Sequence, residues 1–402
     1  MATTTLVETL TQYFFVIISA PLYSGILGKL KAMVESRHGP SIFQPYYDLW
    51  KLFRKVTIIP ADSGVFFKYI PYVLFGIYSL IALIIPVLIP VPIYFTASGD
   101  FLSGAILFSL AAFLKIAAAI NSGSNYVTLG ASRTMSFNFL SEGTLITVFI
   151  AVSLLTATNN PYTTIAFLTS YSLENLSLTH MFSTLAFFML FLYETGKIPL
   201  ESSGLQELGM IDEGLNYEYS GKLLAVAKWS AYIKQYLLGS VLLNVFLIPW
   251  GLFSTSPLFL LDIPVMLAKW MILIFIVLIV ETTLAKLRLF RVMDYLAIAF
   301  TFSILFLIFV RSSNELYRFR GLPDLQSDSH ICFLHPRPRI HRFYDKGAIS
   351  AICADCSTGI HNSLGRKVNR FLHLGSTNYS SQSFPCQLFP SKKDTKAEIV
   401  HI

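Results

Sequence analysis

Apolar stretches broken by short polar connections run along the chain as far as residue 311. Runs long enough to cross a bilayer core, about 17–25 residues, fall at 10–33, 66–91, 101–120, 140–158, 179–195, 231–253, 265–285 and 294–311. The pattern predicts an all-α, polytopic membrane protein with eight transmembrane helices. No cleavable leader is expected, because Met1–Glu8 lacks a basic start and the first run continues to spanning length.

One connection has its own periodicity. After the Gly39-Pro40 turn, Tyr46, Trp50 and Phe53 recur at helical spacing from Pro45 onward, with Asp48, Lys51 and Lys55 on another face. A helix with one aromatic and one charged stripe between two spans is expected to lie in the headgroup plane. The connection after the fifth run is acidic, with Glu194, Glu201, Glu207, Asp212, Glu213 and Glu218 against Lys197 alone until Lys222. Crowded carboxylates suit the uptake and release of protons. Leu200, Leu205, Leu208, Met210, Ile211, Leu215, Tyr217 and Tyr219 are interleaved, so the loop is expected to pack against protein.

Charge orients the spans. The segment 1–9 and the connections near 92–100, 159–178 and 254–264 have no Lys or Arg. The alternate connections carry Arg37, Lys51, Arg54, Lys55 and Lys68, then Arg133, then Lys197, Lys222 and Lys228, then Lys286, Arg288 and Arg291. Basic loops stay on the cytoplasmic side. The N-terminus is therefore expected outside the plasma (cell inner) membrane, with loops 1, 3, 5 and 7 cytoplasmic. Lys115, Glu142, Glu194 and Glu281 sit within or at the ends of runs, each in the inner half. Ionisable groups at membrane depth are costly and tend to be paired, protonated or functional, so these four read as a proton route.

Composition agrees: 54% of residues are hydrophobic and 13% charged, against about 25% charged in soluble domains. The change comes at Arg311. From there on lie all 4 cysteines, six of the 8 histidines and +6 of the net +7 charge. Residues 1–312 read as the membrane domain, and 313–402 as a basic, Cys/His-containing tail, disordered or non-native. Cys353 and Cys356 have the spacing by which two thiolates share one metal, but no second such pair completes the set. Without a cysteine in 1–312 there is no thiolate-held Fe–S cluster there, and neither a P-loop nor a GxGxxG sequence is present. Electron chemistry and any cofactor are expected on partner chains, and no nucleic acid partner is expected.

Two loops carry a resemblance. Arg37-x-Gly39-Pro40, Gln44-Pro45, Asp48 and Lys51-Leu52-Phe53-x-Lys55, with Glu194-Thr195-x-Lys197-x-Pro199-x-Glu201 and Glu218-Tyr219-Ser220-Gly221, resemble the subunit 1 family of respiratory complex I. That family includes the membrane anchor subunits of energy-converting nickel–iron hydrogenases and formate hydrogenlyases. The hydrogenase branch is matched by the short interval from Gly39-Pro40 to Gln44-Pro45 and by Glu207-Leu208-x-Met210-Ile211-x-Glu213. It is matched also by Gly130-Ala131-Ser132-Arg133 before Met135 and Glu142, and by the stretch from Glu281 through Arg288 and Arg291 to Asp294. Thr134, Gly143 and Met293 depart from its usual Glu, Pro and Pro.

The resemblance implies a bundle of eight tilted helices without an active site of its own. It implies a peripheral redox module, with hydrogenase-type small and large subunits holding Fe–S clusters and a Ni–Fe centre, docked at Arg37, Gln44, Asp48, Lys51, Lys55, Arg133, Arg288, Arg291 and Asp294. Protonation changes would pass through Glu201, Glu207, Asp212, Glu213 and Glu218 to Glu142, Glu194, Glu281 and Lys115, and on to antiporter-like membrane subunits. The alternative reading is the quinone-chamber subunit of a proton-pumping NADH:quinone oxidoreductase, with quinone bound between the amphipathic helix and the spans. A stand-alone transporter would show inverted repeats and interrupted helices, and neither is visible in the sequence.

Overall fold

A computed structural model describes residues 2–88, 100–170, 178–198, 213–251, 259–283 and 291–319. Among the described residues every regular element is helical. In chain order they are α1 (Ala2–Val34), α2 (Gln44–Arg54), α3 (Val65–Ile84), α4 (Phe101–Ile120), α5 (Asn125–Thr156), α6 (Pro161–Ser170), α7 (Leu178–Glu194), α8 (Gly221–Val241), α9 (Phe259–Thr283) and α10 (Arg291–Phe319). A 3-10 turn, Gly214–Asn216, precedes α8, and a π-helical segment, Leu242–Leu247, extends it. The chain divides into two units, Met1–Ser327 and Asp328–Ile402, and the second lies outside the described residues, as do Cys353 and Cys356.

Among the described residues six helical stretches are long and apolar enough to cross a membrane: Thr9–Val34, Val65–Ile84, Phe101–Ile120, Asn125–Thr156, Asp262–Thr283 and Arg291–Arg311. The expected runs 179–195 and 231–253 fall on α7, a shorter apolar helix of 17 residues, and on α8, which carries Lys222, Lys228 and Lys234. Outward faces keep large apolar side chains such as Phe113, Phe139 and Phe275 exposed, which is stable only in a non-aqueous surround. Inside, Phe149, Phe187, Phe191 and Phe306 are fully buried. In lipid the packing is held by van der Waals contact rather than by water exclusion.

Several elements differ from the sequence reading. α3 stops at Ile84, short of the apolar run's end at 91, because Pro86 cannot continue the ladder. α5 begins at Asn125 rather than 140, so Arg133 sits on a helix and not in a loop. Its early turns are polar, yet Thr128, Ser132, Thr134 and Ser136 bond back to the carbonyls of Ser124, Leu129, Gly130 and Ser132. Those bonds satisfy the hydroxyls without leaving the helix. α6 is a short helix within a connection that had no predicted element.

The amphipathic helix is present at α2, seated against α1 and α8. Pro45 and Leu49 are its buried residues, while Trp50 is 62% exposed beneath the Arg54 guanidinium, 4.7 Å from the ring centroid. The expected aromatic stripe is thus split: Tyr46 and Phe53 are half-buried and Trp50 faces out. The Tyr46 hydroxyl donates to the Ile18 carbonyl of α1, and burial holds its phenol above the ordinary tyrosine range, so it remains a donor. Gly25 makes this seat: a Cβ there would lie 2.0 Å from the Ile42 carbonyl oxygen. Gly25→Val is expected to unseat α2 and destabilise the protein by about 1–3 kcal/mol, as overpacking does, read as a lower thermal unfolding midpoint in detergent.

Candidate functional site

Two ion pairs join helices distant in sequence. Lys31, in the last turn of α1 where a cation suits the helix dipole, pairs with Glu281 of α9. Lys234 of α8 lies 2.5 Å from Glu194 of α7, their side chains only 16% and 12% exposed. The Ser141 hydroxyl of α5 also donates to Glu194. One residue on, Glu142 is near enough to Glu194 and Lys234 to interact with both. Asn138 Nδ2 reaches Glu142 Oε1 at 3.5 Å, and Tyr193 Oη donates to Asn138 Oδ1 at 3.4 Å.

Lys197 joins the first of these pairs. The chain leaves α7 through Gly196 at φ 65, a left-handed turn that glycine takes without strain. This brings Lys197 among Glu281, Lys31 and Glu213. Burial pushes its amine below the ordinary lysine range, with Glu281 opposing that shift. Two charged groups result, Lys31 and Lys197 with Glu281 and Glu213, and Lys234 with Glu194 and Glu142. Within each, one added proton changes the field at every neighbour, because attraction and repulsion act through protein rather than bulk water.

The rest of the expected proton set divides. Lys115 is half-buried on α4. Of the acidic loop, Glu213 is exposed and Glu218 half-buried, whereas Glu201, Glu207 and Asp212 lie outside the described residues. The loop does pack where it is described. Leu215 is buried with Ile116, Ala119, Val127 and Ala131, and Tyr219 stacks on Phe67 with centroids 4.2 Å apart. Tyr217 is 48% exposed. Ser220 clasps Ile58, accepting from its N–H at 2.8 Å and donating to its carbonyl at 2.7 Å. Gly221 sits at φ 52, where a Cβ would be 2.7 Å from the Val56 carbonyl oxygen. The Ser-Gly pair therefore ties the α2–α3 connection to the start of α8.

Among the expected docking residues, Arg37, Asp48, Lys51, Lys55, Arg291 and Asp294 are exposed. Gln44 and Arg133 are half-buried, Gln44 donating to Asp48 at 2.9 Å, and Arg288 lies outside the described residues. Arg37 and Glu35 approach to 3.8 Å, a surface pair of little energetic weight. Among the described residues no group of three or more His, Cys, Asp or Glu gathers to hold a metal.

Sequence reasoning missed Lys31 and Lys234, the cations of both pairs, and a separate buried polar group at Asp262 and Lys269, 0% and 4% exposed. A signal existed. Lys234 and Lys269 fall inside the apolar runs 231–253 and 265–285, where a charge asks for a partner.

Comparison with known proteins bears on this arrangement. Residues 7–311 match the family described as NADH dehydrogenase. The chain is similar to hydrogenase-4 component C of Escherichia coli (strain K12), 30% identical over 282 residues, 69% of this chain and 87% of that protein. It is 29% identical over 286 residues to formate hydrogenlyase subunit 4 of the same organism, covering 70% of this chain and 90% of that one. In fold it resembles a chain from the membrane-bound sulfane sulfur reductase, an archaeal respiratory membrane complex. There the TM-score is 0.65 at 20% identity, over 76% of this chain and 99% of that one.

Proposed function

Because the chain belongs to the NADH dehydrogenase subunit 1 family, we propose that it is the membrane anchor and coupling subunit of an energy-converting hydrogenase or formate hydrogenlyase type complex. α7 and α8 complete eight spans, with the N-terminus outside and the α2 end at the cytoplasm. There α2, with Arg37, Gln44, Asp48, Lys51, Lys55, Arg133, Arg288, Arg291 and Asp294, seats a peripheral module of small and large subunits. The Ni–Fe centre and Fe–S clusters reside in that module. Protonation changes run through Glu201, Glu207, Asp212, Glu213 and Glu218 to Glu142, Glu194, Glu281 and Lys115, and from there to antiporter-like subunits.

The observation that carries this reading is the set of two charged groups between the helices, Lys31 and Lys197 with Glu281, and Lys234 with Glu194 and Glu142. It is contributed by α1, α5, α7, α8 and α9 and joined to Glu213 of the acidic loop. A charge change at the docked module can bias that set, which is the physical content of coupling. The exposed charges of α2 supply the test. A photo-cross-linker at Lys55 is expected to capture an Fe–S subunit. Lys51→Glu with Lys55→Glu should release that subunit at lower salt, each exposed pair contributing only about 0.2–1 kcal/mol. No cross-link, together with unaltered salt resistance, would remove the docking role.

A further inference from the structure

Phe43, Tyr47, Trp50 and Arg54 follow one line along α2 and its N-cap, at helical spacing, and all four are exposed. α1 and α8 cover the opposite side, through Pro45 and Leu49. Asp48, Lys51 and Lys55, of the expected docking set, follow a third line. The open surface continues past the helix, where Val56 is 84% and Phe66 67% exposed and Ile58, Val65 and Tyr69 are exposed too.

Four cations stand around this apolar surface, and none of them belongs to the docking set. The Arg54 guanidinium is stacked over Trp50, and the Lys68 amine lies 5.8 Å from the Tyr69 ring centroid. Lys222 is fixed beside the α2–α3 connection, its N–H donating to Thr57 Oγ1 at 3.2 Å. Lys228 precedes Trp229, the half-buried ring of α8 against which Phe53 of α2 and Phe75 of α3 both lean, with centroids 6.1 and 5.4 Å away. α2 and α3 are thereby held on one flank of α8. All four cations are exposed, and among the described residues none has a carboxylate partner. The acids of the same stretch are placed elsewhere: Asp48 accepts from Gln44, and Asp62 lies against Gly123 at the α4–α5 connection.

Exposed tryptophan, valine and phenylalanine side chains are unfavourable in water, and four cations are unfavourable in hydrocarbon. The headgroup layer accommodates both, since rings and aliphatic stems stay at the acyl boundary while the charges reach phosphate. The surface also runs on into α3, a helix of spanning length whose Tyr69, Tyr72 and Leu80 are exposed. That continuity favours lipid over a protein arriving from the aqueous side. We propose that Trp50, Arg54, Lys68, Lys222 and Lys228 form a binding site for the headgroup of an anionic phospholipid. Arg54, pre-oriented by its stack on Trp50, offers a planar fork to two phosphate oxygens. Lys68, Lys222 and Lys228 add point charges around it, and Trp50 packs on the glycerol end. The site is independent of the coupling role, because it needs only a chain that spans the membrane. It gives α2 three separate contacts: one line to the bundle, one to the redox module and one to the bilayer.

Photo-cross-linking in the intact complex tests this. A photo-reactive amino acid replaces Val56, and the complex is placed in vesicles of equal phosphatidylglycerol and phosphatidylcholine. The two lipids then compete for one patch, and mass spectrometry of the adducts reads their ratio. Phosphatidylglycerol adducts should predominate. Arg54→Gln with Lys68→Gln should lower the ratio roughly 5-fold or more, the weight of a basic side chain near an anionic surface. Arg54→Lys with Lys68→Arg, which keeps both charges, should retain most of it. A ratio within one sample does not depend on the yield of complex. Equal capture of the two lipids by the otherwise unmodified chain would mean ordinary boundary lipid and overturn the site. A preference that survives the double glutamine variant would overturn the role of Arg54 and Lys68, and a protein adduct in place of lipid would assign the patch to a peripheral subunit.

Discussion

Glu281→Gln is expected to abolish ion movement driven by redox turnover. Its carboxylate pairs with Lys31 and acts on Lys197. Glutamine keeps the shape and the hydrogen-bonding capacity but can neither take up a proton nor balance the lysines. The loss should approach roughly 100-fold, the contribution of a positioned proton-transfer group. Vesicles energised by the complex's own electron donor read it as dye quenching, with turnover on an artificial acceptor as the internal standard. A parallel fall in both signals would mean that Glu281 supports assembly instead.

Lys234→Met should produce the largest loss of stability of any single change in the two charged groups. It leaves Glu194, 12% exposed, charged and, among the described residues, facing the Ser141 hydroxyl and the nearby Glu142. Removing one member of a buried pair costs about 3–5 kcal/mol, whereas removing both is often nearly neutral. The signature is therefore a cycle. Lys234→Met lowers the thermal midpoint and the yield of assembled complex, and adding Glu194→Gln restores most of both. Equal losses in the single and double variants would show that the pair carries no coupling energy.

What the sequence disclosed depended on how far apart the informative residues were. α2 was legible because its period and its Gly39-Pro40 turn lie within one short stretch. The outward turn of Trp50 was not, since α1 and α8 decide which face is covered. α5 hides its first turns from a hydropathy reading because its hydroxyls are satisfied by their own backbone, and Pro86 ends α3 inside an apolar run that hydropathy alone carries to 91. The ion pairs were the least legible part. Lys31 and Glu281 are separated by 250 positions, and no local pattern ties a basic residue at one helix end to an acid at another. The lysines inside apolar runs did carry a signal, because a charge at that depth implies a partner. Crowding in one loop and depth in the apolar runs drew attention to the carboxylates and left Lys31 and Lys234 unnoticed.

The central claim is that this chain anchors a hydrogenase-type redox module in the membrane. The most direct measurement is purification of the tagged chain in mild detergent, with mass-spectrometric identification of whatever co-purifies and analysis of nickel, iron and quinone in the same sample. The account predicts stoichiometric small and large subunits with nickel and Fe–S iron, alongside antiporter-like membrane subunits. A complex with flavin and bound quinone but without nickel would contradict it and place the chain in a quinone reductase.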